Sequence, residues 1–253
     1  MYRKFEGIAI QVSADKDGMF YNSVFLKHNP VYKQETGSLW ELEMDTVVER
    51  KPWMVTNHNT QSGEVLVQDA GNRLVLVSNS GNVLWKRELE ETIVGDVLQV
   101  DAYQNNKLQF LFATSTQLWL VDRNGENVGA FPLTLPDKAS APLACIDYDR
   151  NRKYRILVPC ADGNVYNYTA KGSAVKGWKF STTGAPVVQQ PQHFVLDGKD
   201  FVVMVDREGI AYTTDRTGKE RITLTNTLPK GRPVYVEPAE TVEDSRFITT
   251  DSA

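Results

Sequence analysis

The chain has 253 residues, of which 41% are apolar and 24% charged, with a formal net charge of −4. This is globular composition, long enough for one all-β domain or two ordinary ones. Acidic and basic residues alternate with no block of lysine and arginine, so no nucleic-acid partner is expected. No apolar run is long enough to cross a bilayer as a helix, and MYRKFEGIAIQVSADKDG shows no signal-type core before its charges resume. No direct membrane insertion by this segment is expected.

In chain order, the first unit, residues 7–43, is the least regular and closes on TGSLWELEM, with Gly37 and Trp40. The next reads PWMVTNH, EVLVQD, RLVLVS and NVLWKREL, with Gly81 before the last run. DVLQVDAY, KLQFLFATS, QLWLVDR and ENVGAFPL repeat the scheme around Gly125. LACIDYD, YRILVPC, NVYNYT and AVKGWKF do so around Gly172. Another unit turns at Gly218 in TTDRTGKERITL, and RPVYVEP with SRFITT opens one more before Ala253. The five glycines recur at intervals of 44 to 47 residues.

Each unit reads as four short antiparallel strands, A to D, and no window carries a sustained helical stripe with caps. Units of this length, repeated, predict an all-β fold: a β-propeller of four-stranded antiparallel blades, five visible plus part of a sixth. A small sheet cannot bury its two faces alone, so blades stack around an axis. The recurring glycine supplies positive φ at a tight C–D turn. Trp40, Trp85 and Trp178 follow that turn and are expected to cover the gap between neighbouring blades. Residues 1–253 are expected to form a single propeller domain, ending between strands B and C of the sixth blade and so belonging to a longer protein. An open ring would leave strand edges for self-association.

The two cysteines, Cys145 and Cys160, are not in CxxC spacing. A hairpin turning near Asn151 sets Cys145 opposite a residue near Ile156 and leaves Cys160 out of register. Both are therefore expected as small buried apolar groups rather than a disulfide.

VYNYTAKGSAVKGW resembles the repeats of quinoprotein-type propellers, in which a glycine turn precedes a tryptophan. HNPVYKQETGSLWEL, VTNHNTQSGEVLVQDAGNRLVLVSNSGNVLWKREL, FATSTQLWLVDRNG and DYDRNRKYRILVPCADGNVYNY resemble, over most of the chain, the C-terminal propeller region of large uncharacterised bacterial envelope proteins with quinoprotein-like or WD40-like repeats. The resemblance implies a missing upstream part and a periplasmic or envelope location, and it carries no catalytic residues. Quinone-dependent dehydrogenases also share the blades, but this chain lacks their adjacent cysteine pair and their eight blades, so no cofactor is expected.

Asp147, Asp149 and Asn151 stand at positions 1, 3 and 5 of a loop, as in oxygen-ligand calcium sites. Arg155 holds position 9 and no bidentate glutamate follows, so turn chemistry is the stronger reading and no metal is assigned. The equivalent loop DAYQNNKLQ keeps Asp101 and Asn105 around Tyr103. His28, His58 and His193 share neither a repeat position nor a ligand spacing. No catalytic motif is present, so no catalytic residue is assigned. The expected role is a non-enzymatic scaffold or platform with a protein partner, on the face of the D–A and B–C loops. Asp69, Asn72, Ser115, Asp162, Asn164 and Arg207 mark that face, each a solvated turn residue first. The alternative is an enzyme or binding protein acting on a glycan or small molecule in the channel, which would bring carboxylates together in a deep pocket.

Overall fold

The computed structural model describes residues 5–14, 20–28, 40–224 and 227–250, and every regular element among them is a strand. The chain divides into two compact units, Met1–Glu41 and Leu42–Ala253. In the first, β1 (Phe5–Ala14) and β2 (Phe20–His28) pair antiparallel, with Ile10 opposite Val24 and Ala14 opposite Phe20. Gly37 lies outside the described residues.

In the second unit, β3 (Trp53–Thr56), β4 (Gly63–Gln68), β5 (Arg73–Val77) and β6 (Val83–Glu88) make the Gly81 blade. β7 (Ile93–Val100), β8 (Gln109–Thr114), β9 (Gln117–Val121) and β10 (Leu133–Thr134) make the Gly125 blade. β11 (Ala144–Ile146), β12 (Arg155–Pro159) and β13 (Val165–Thr169) form the Gly172 blade. β14 (Gln192–Leu196), β15 (Lys199–Val205), β16 (Ala211–Thr214) and β17 (Glu220–Thr223) form the Gly218 blade. β18 (Val234–Glu237) and β19 (Arg246–Thr249) open the next. Every sheet is an antiparallel meander in chain order, the topology of propeller blades.

The core sits between sheets rather than within them. Along β8, Phe110 and Phe112 join Leu66, Leu74 and Leu76 of the Gly81 blade, while Leu111 and Ala113 join Ile156 and Val158 of the Gly172 blade. The same division recurs on β15, where Val202 and Met204 face Leu157 and Val165, and Val203 and Val205 face Val234. Strand side chains alternate faces, so a B strand covered on both sides reads as a continuous apolar run, as in QFLFAT. Burying each such side chain is worth about 1.5–3 kcal/mol.

The C–D turns are close copies of one another. The N–H of Gly81 donates to Ser78 O, Gly125 to Asp122 O, Gly172 to Thr169 O and Gly218 to Asp215 O, each at 3.0 Å. All four glycines have φ between 81° and 89°. The tryptophan wedge is present for Trp85 and Trp178: a Cβ on Gly125 would lie 3.0 Å from the ring of Trp85, and one on Gly218 would lie 3.0 Å from Trp178 and 2.7 Å from Phe180 N. Each aromatic on a D segment therefore leans on the next blade's turn. Trp85 Nε1 also donates to Arg123 O at 2.7 Å. Trp178 Nε1 instead donates within its own blade, to Val165 O. The Gly125 blade has no tryptophan on its D segment, and a Cβ on Gly172 would instead meet Ala130 and Leu133 at 3.4 Å and Phe131 at 3.5 Å.

The outer D strands are less regular than the sequence suggests. In the Gly125 blade a bridge between Val121 and Asn127 is followed by a turn at Gly129, and pairing resumes only at β10. In the Gly172 blade, residues 174–180 form no strand; what is left is the bridge between Tyr168 and Ala174 and the Val175 N–H donating to Asn167 O. In these two blades the broken outer strand offers no long straight edge for another chain to pair with.

Neighbouring A segments are joined by glutamine side chains. Gln99 of β7 accepts from Thr56 N at 2.7 Å and donates to Thr56 O at 2.9 Å. Gln189 does the same to Val234, while Gln192 donates to Val234 O and accepts from Val236 N. Gln190 donates to Leu143 O at 2.7 Å. One side chain thus supplies both a donor and an acceptor, as a backbone peptide would.

Candidate functional site

The A–B turns carry most of the buried charge of the Leu42–Ala253 unit. Glu64, Gln109, Arg155 and Asp200 are each the first or second residue of strand B in four successive blades, and all but Arg155 are buried. Glu64 accepts from Asn57 Nδ2 at 2.9 Å and from Arg123 Nε at 3.1 Å, which crosses to the next blade. Asp101 accepts from the N–H groups of Asn105 and Asn106 and binds Arg152 Nη1 at 2.6 Å, again across a blade boundary. Asp200 accepts from His193 Nε2 at 2.9 Å and from Arg216 Nε at 2.6 Å. A buried carboxylate left unpaired would be costly, so these pairs hold the joints.

The loop proposed as a weak cation site shows turn bonding. Asp147 accepts from the N–H groups of Asn151 (3.0 Å) and Arg152 (2.7 Å), and Asn151 Oδ1 accepts from Lys153 N. Asp149 points elsewhere, binding Arg216 Nη1 at 2.9 Å. Asp101 repeats the same bonding one blade earlier, so the loop is a recurring Asx turn. Among the described residues no three His, Cys, Asp or Glu side chains converge as a metal site requires.

His58 Nδ1 accepts from Leu108 N at 3.1 Å. The His28 side chain lies outside the described residues. His193 meets the ring of Tyr148 edge-on at 5.0 Å, and the Arg216 guanidinium lies over the same ring at 5.1 Å. Burial, reinforced by the Asp200 charge, pushes the Tyr148 hydroxyl up to about 12. Cys145 pairs across the hairpin with Ile156, as its spacing implies, and both thiols are free. Burial pushes Cys145 and Cys160 up to about 12, which keeps them protonated and weakly reactive.

The residues expected on the B–C face behave as turn residues, but not all are solvated. Asp69 is 4% exposed; its Oδ1 accepts from Gly71 N and Arg73 N, and its Oδ2 binds Arg73 Nε at 2.8 Å. Asn72 takes φ 61° and accepts from Thr92 Oγ1. Ser115 accepts from Ala139 N through its carbonyl. Asp162 accepts from Asn164 N, Asn164 Nδ2 and the Tyr166 hydroxyl. That last bond pushes Tyr166 up to about 12. Arg207 is exposed, and its N–H donates to Pro186 O.

The concavities that bring side chains together lie largely elsewhere. Two of them run along the A–B and C–D turns, on either side of Tyr103, which is 59% exposed. The larger, about 570 Å³, is walled by Tyr103, Arg152, Lys153, Tyr154, Arg155 and Lys171. The smaller, about 340 Å³, is walled by His58, Asn59, Lys107, Asp122 and Arg123 among others. Of five concavities within Leu42–Ala253, none has more than one carboxylate in its wall. The sequence-based candidates include none of the residues around the larger groove. The available signal was DRNRKYR, where Arg150, Arg152, Lys153 and Arg155 crowd one turn.

No protein-family model matches the sequence, and no curated protein matches it. Solved propeller structures do. BBS1N in complex with ARL6DN, soaked with lead, superposes with a TM-score of 0.52 at 12% identity, covering 76% of this chain and 57% of that one. The mercury-soaked crystal gives 0.52 and 12%, over 72% and 56%. BamB from Moraxella catarrhalis gives 0.46 at 16% identity, over 64% and 45%. The chain thus spans little more than half the length of the BBS1N chains, and its likeness to them is one of fold: an all-β propeller.

Proposed function

We propose that this chain is a non-enzymatic propeller platform that holds a protein partner, within a larger bacterial envelope protein as the sequence resemblance implies. The observation that carries the reading is the makeup of its concavities: none of the five pairs two carboxylates, and the buried acids Glu64, Asp101 and Asp200 are bound to arginines across or within blades. Hydrolytic chemistry on a glycan needs a proton donor and a second carboxylate facing one bond. A rigid frame with open grooves between hairpin turns suits recognition instead. BBS1N, similar in fold, was crystallised in complex with ARL6DN, a precedent for a propeller holding another protein.

The test is photocrosslinking in cells that make the protein, with a benzophenone amino acid at Tyr103 or Lys171 on the A–B side, or at Arg207 on the B–C side. A discrete protein adduct from one side is the expected result. Failure to crosslink from all three positions, or turnover of a glycoside panel by the purified chain, overturns the reading.

A further inference from the structure

We infer that the groove between the A–B turn of the Gly125 blade and the A–B and C–D turns of the Gly172 blade binds an acidic, extended segment of a protein partner. This deepens the platform reading and rests on it. The chain is acidic as a whole, with 28 basic against 32 acidic residues, yet this groove of about 570 Å³ is walled by Arg152, Lys153, Arg155 and Lys171 and by no carboxylate.

The acids that could neutralise it are engaged elsewhere. Asp147 is turned to the backbone N–H groups of Asn151 and Arg152, and Asp149 to Arg216. Asp101 offsets Arg152 alone. Arg155 Nη1 donates to the carbonyls of Lys153 and Tyr154, and among the described residues Lys153, Arg155 and Lys171 form no ion pair. Among the Gly81, Gly125, Gly172 and Gly218 blades the concentration is peculiar to the Gly172 blade. Between strands A and B, residues 57–64 hold no lysine or arginine, residues 101–109 hold Lys107 and residues 197–200 hold Lys199, against four cations in residues 147–155.

The groove is also preformed. Gln104 Nε2 donates to Asn151 O at 3.1 Å and Tyr154 OH accepts from Asp101 N, so the two turns are tied across the blade boundary. Tyr103 stands exposed along one wall, and a tyrosine beside arginines is the usual makeup of an interface anchor. An extended peptide could lay carboxylates along the cations and an apolar side chain on the Tyr103 ring, with complementary charge setting the encounter rate.

The experiment uses the purified chain and a fluorescein-labelled peptide alternating glutamate and serine around a central leucine, read by anisotropy. Binding should weaken by about tenfold or more in the Lys153→Glu/Lys171→Glu variant, and likewise when salt is raised to about 0.5 M. Both lysines are exposed, so the variant should keep the wild-type melting temperature. The same peptide with glutamine for glutamate should not bind. Equal binding by the variant, no binding by the wild type, or equally tight binding of tripolyphosphate overturns the assignment. A self-association of the chain that the same variant abolishes would also overturn it, naming a second copy as occupant. Should the peptide fail while crosslinks still form from Arg207, only the groove falls and the platform stands.

Discussion

Asp69 sits at the tip of a B–C hairpin, buried, with a carboxylate that organises its own turn and fixes Arg73. Burial works against its charged form, but the bonds from the Arg73 backbone and side chain outweigh that and hold the carboxyl below the usual carboxylate value. A group whose proton affinity falls on folding lends stability above its unfolded pKa of about 3.9 and loses it as pH drops through the folded value. Denaturant melts of Asp69→Asn should show a loss of about 1–3 kcal/mol at neutral pH. The gap to wild type should close in acid below that range; a gap that persists there would assign the loss to shape rather than charge. The turn itself was legible in the sequence, because an aspartate two residues ahead of a glycine favours a bond from its own turn's backbone to its carboxylate. Its burial was not, since that depends on what the neighbouring strands and Arg73 cover.

Blades meet where a D-segment aromatic covers the next C–D turn, and two glycines of one segment separate the causes of that contact. Gly125 has φ 89° and Trp85 3.0 Å from where a Cβ would sit; Gly129 has φ 59° and nothing within 4 Å. Gly129→Ala should cost about 1–2 kcal/mol, the backbone strain alone. Gly125→Ala should cost about 2–4 kcal/mol, because the wedge must also shift. In a Trp85→Ala background the excess at Gly125 should vanish, and equal costs at both sites in wild type would dismiss the wedge. Strands B and C could be placed from sequence because continuous apolar runs bounded by turn glycines are local signals. The D strand expected over residues 174–180 could not: a strand paired on one side only has a single ladder to hold it, and Gly177, with φ 81°, breaks the segment.

In the Gly125, Gly172 and Gly218 blades, strand B divides its side chains between two cores, so none of these three sheets owns a core of its own. The single domain proposed for residues 1–253 predicts one protected species in limited proteolysis, retaining both Met1–Glu41 and Leu42–Ala253. Early release of the first 41 residues would replace it with two domains. The fold was readable from the period of the glycines, whereas the basic groove was not, because its wall combines Tyr103, Arg155 and Lys171 from three turns that only the packing of one blade on the next brings together. The glutamine clasps between A segments carry a different lesson. A side-chain amide can grip a neighbour's peptide without aligning two ladders, so one sheet's register is not dictated by the next. A misthreaded hairpin in one blade would then stay a local fault, corrected while its neighbours keep their own pairing.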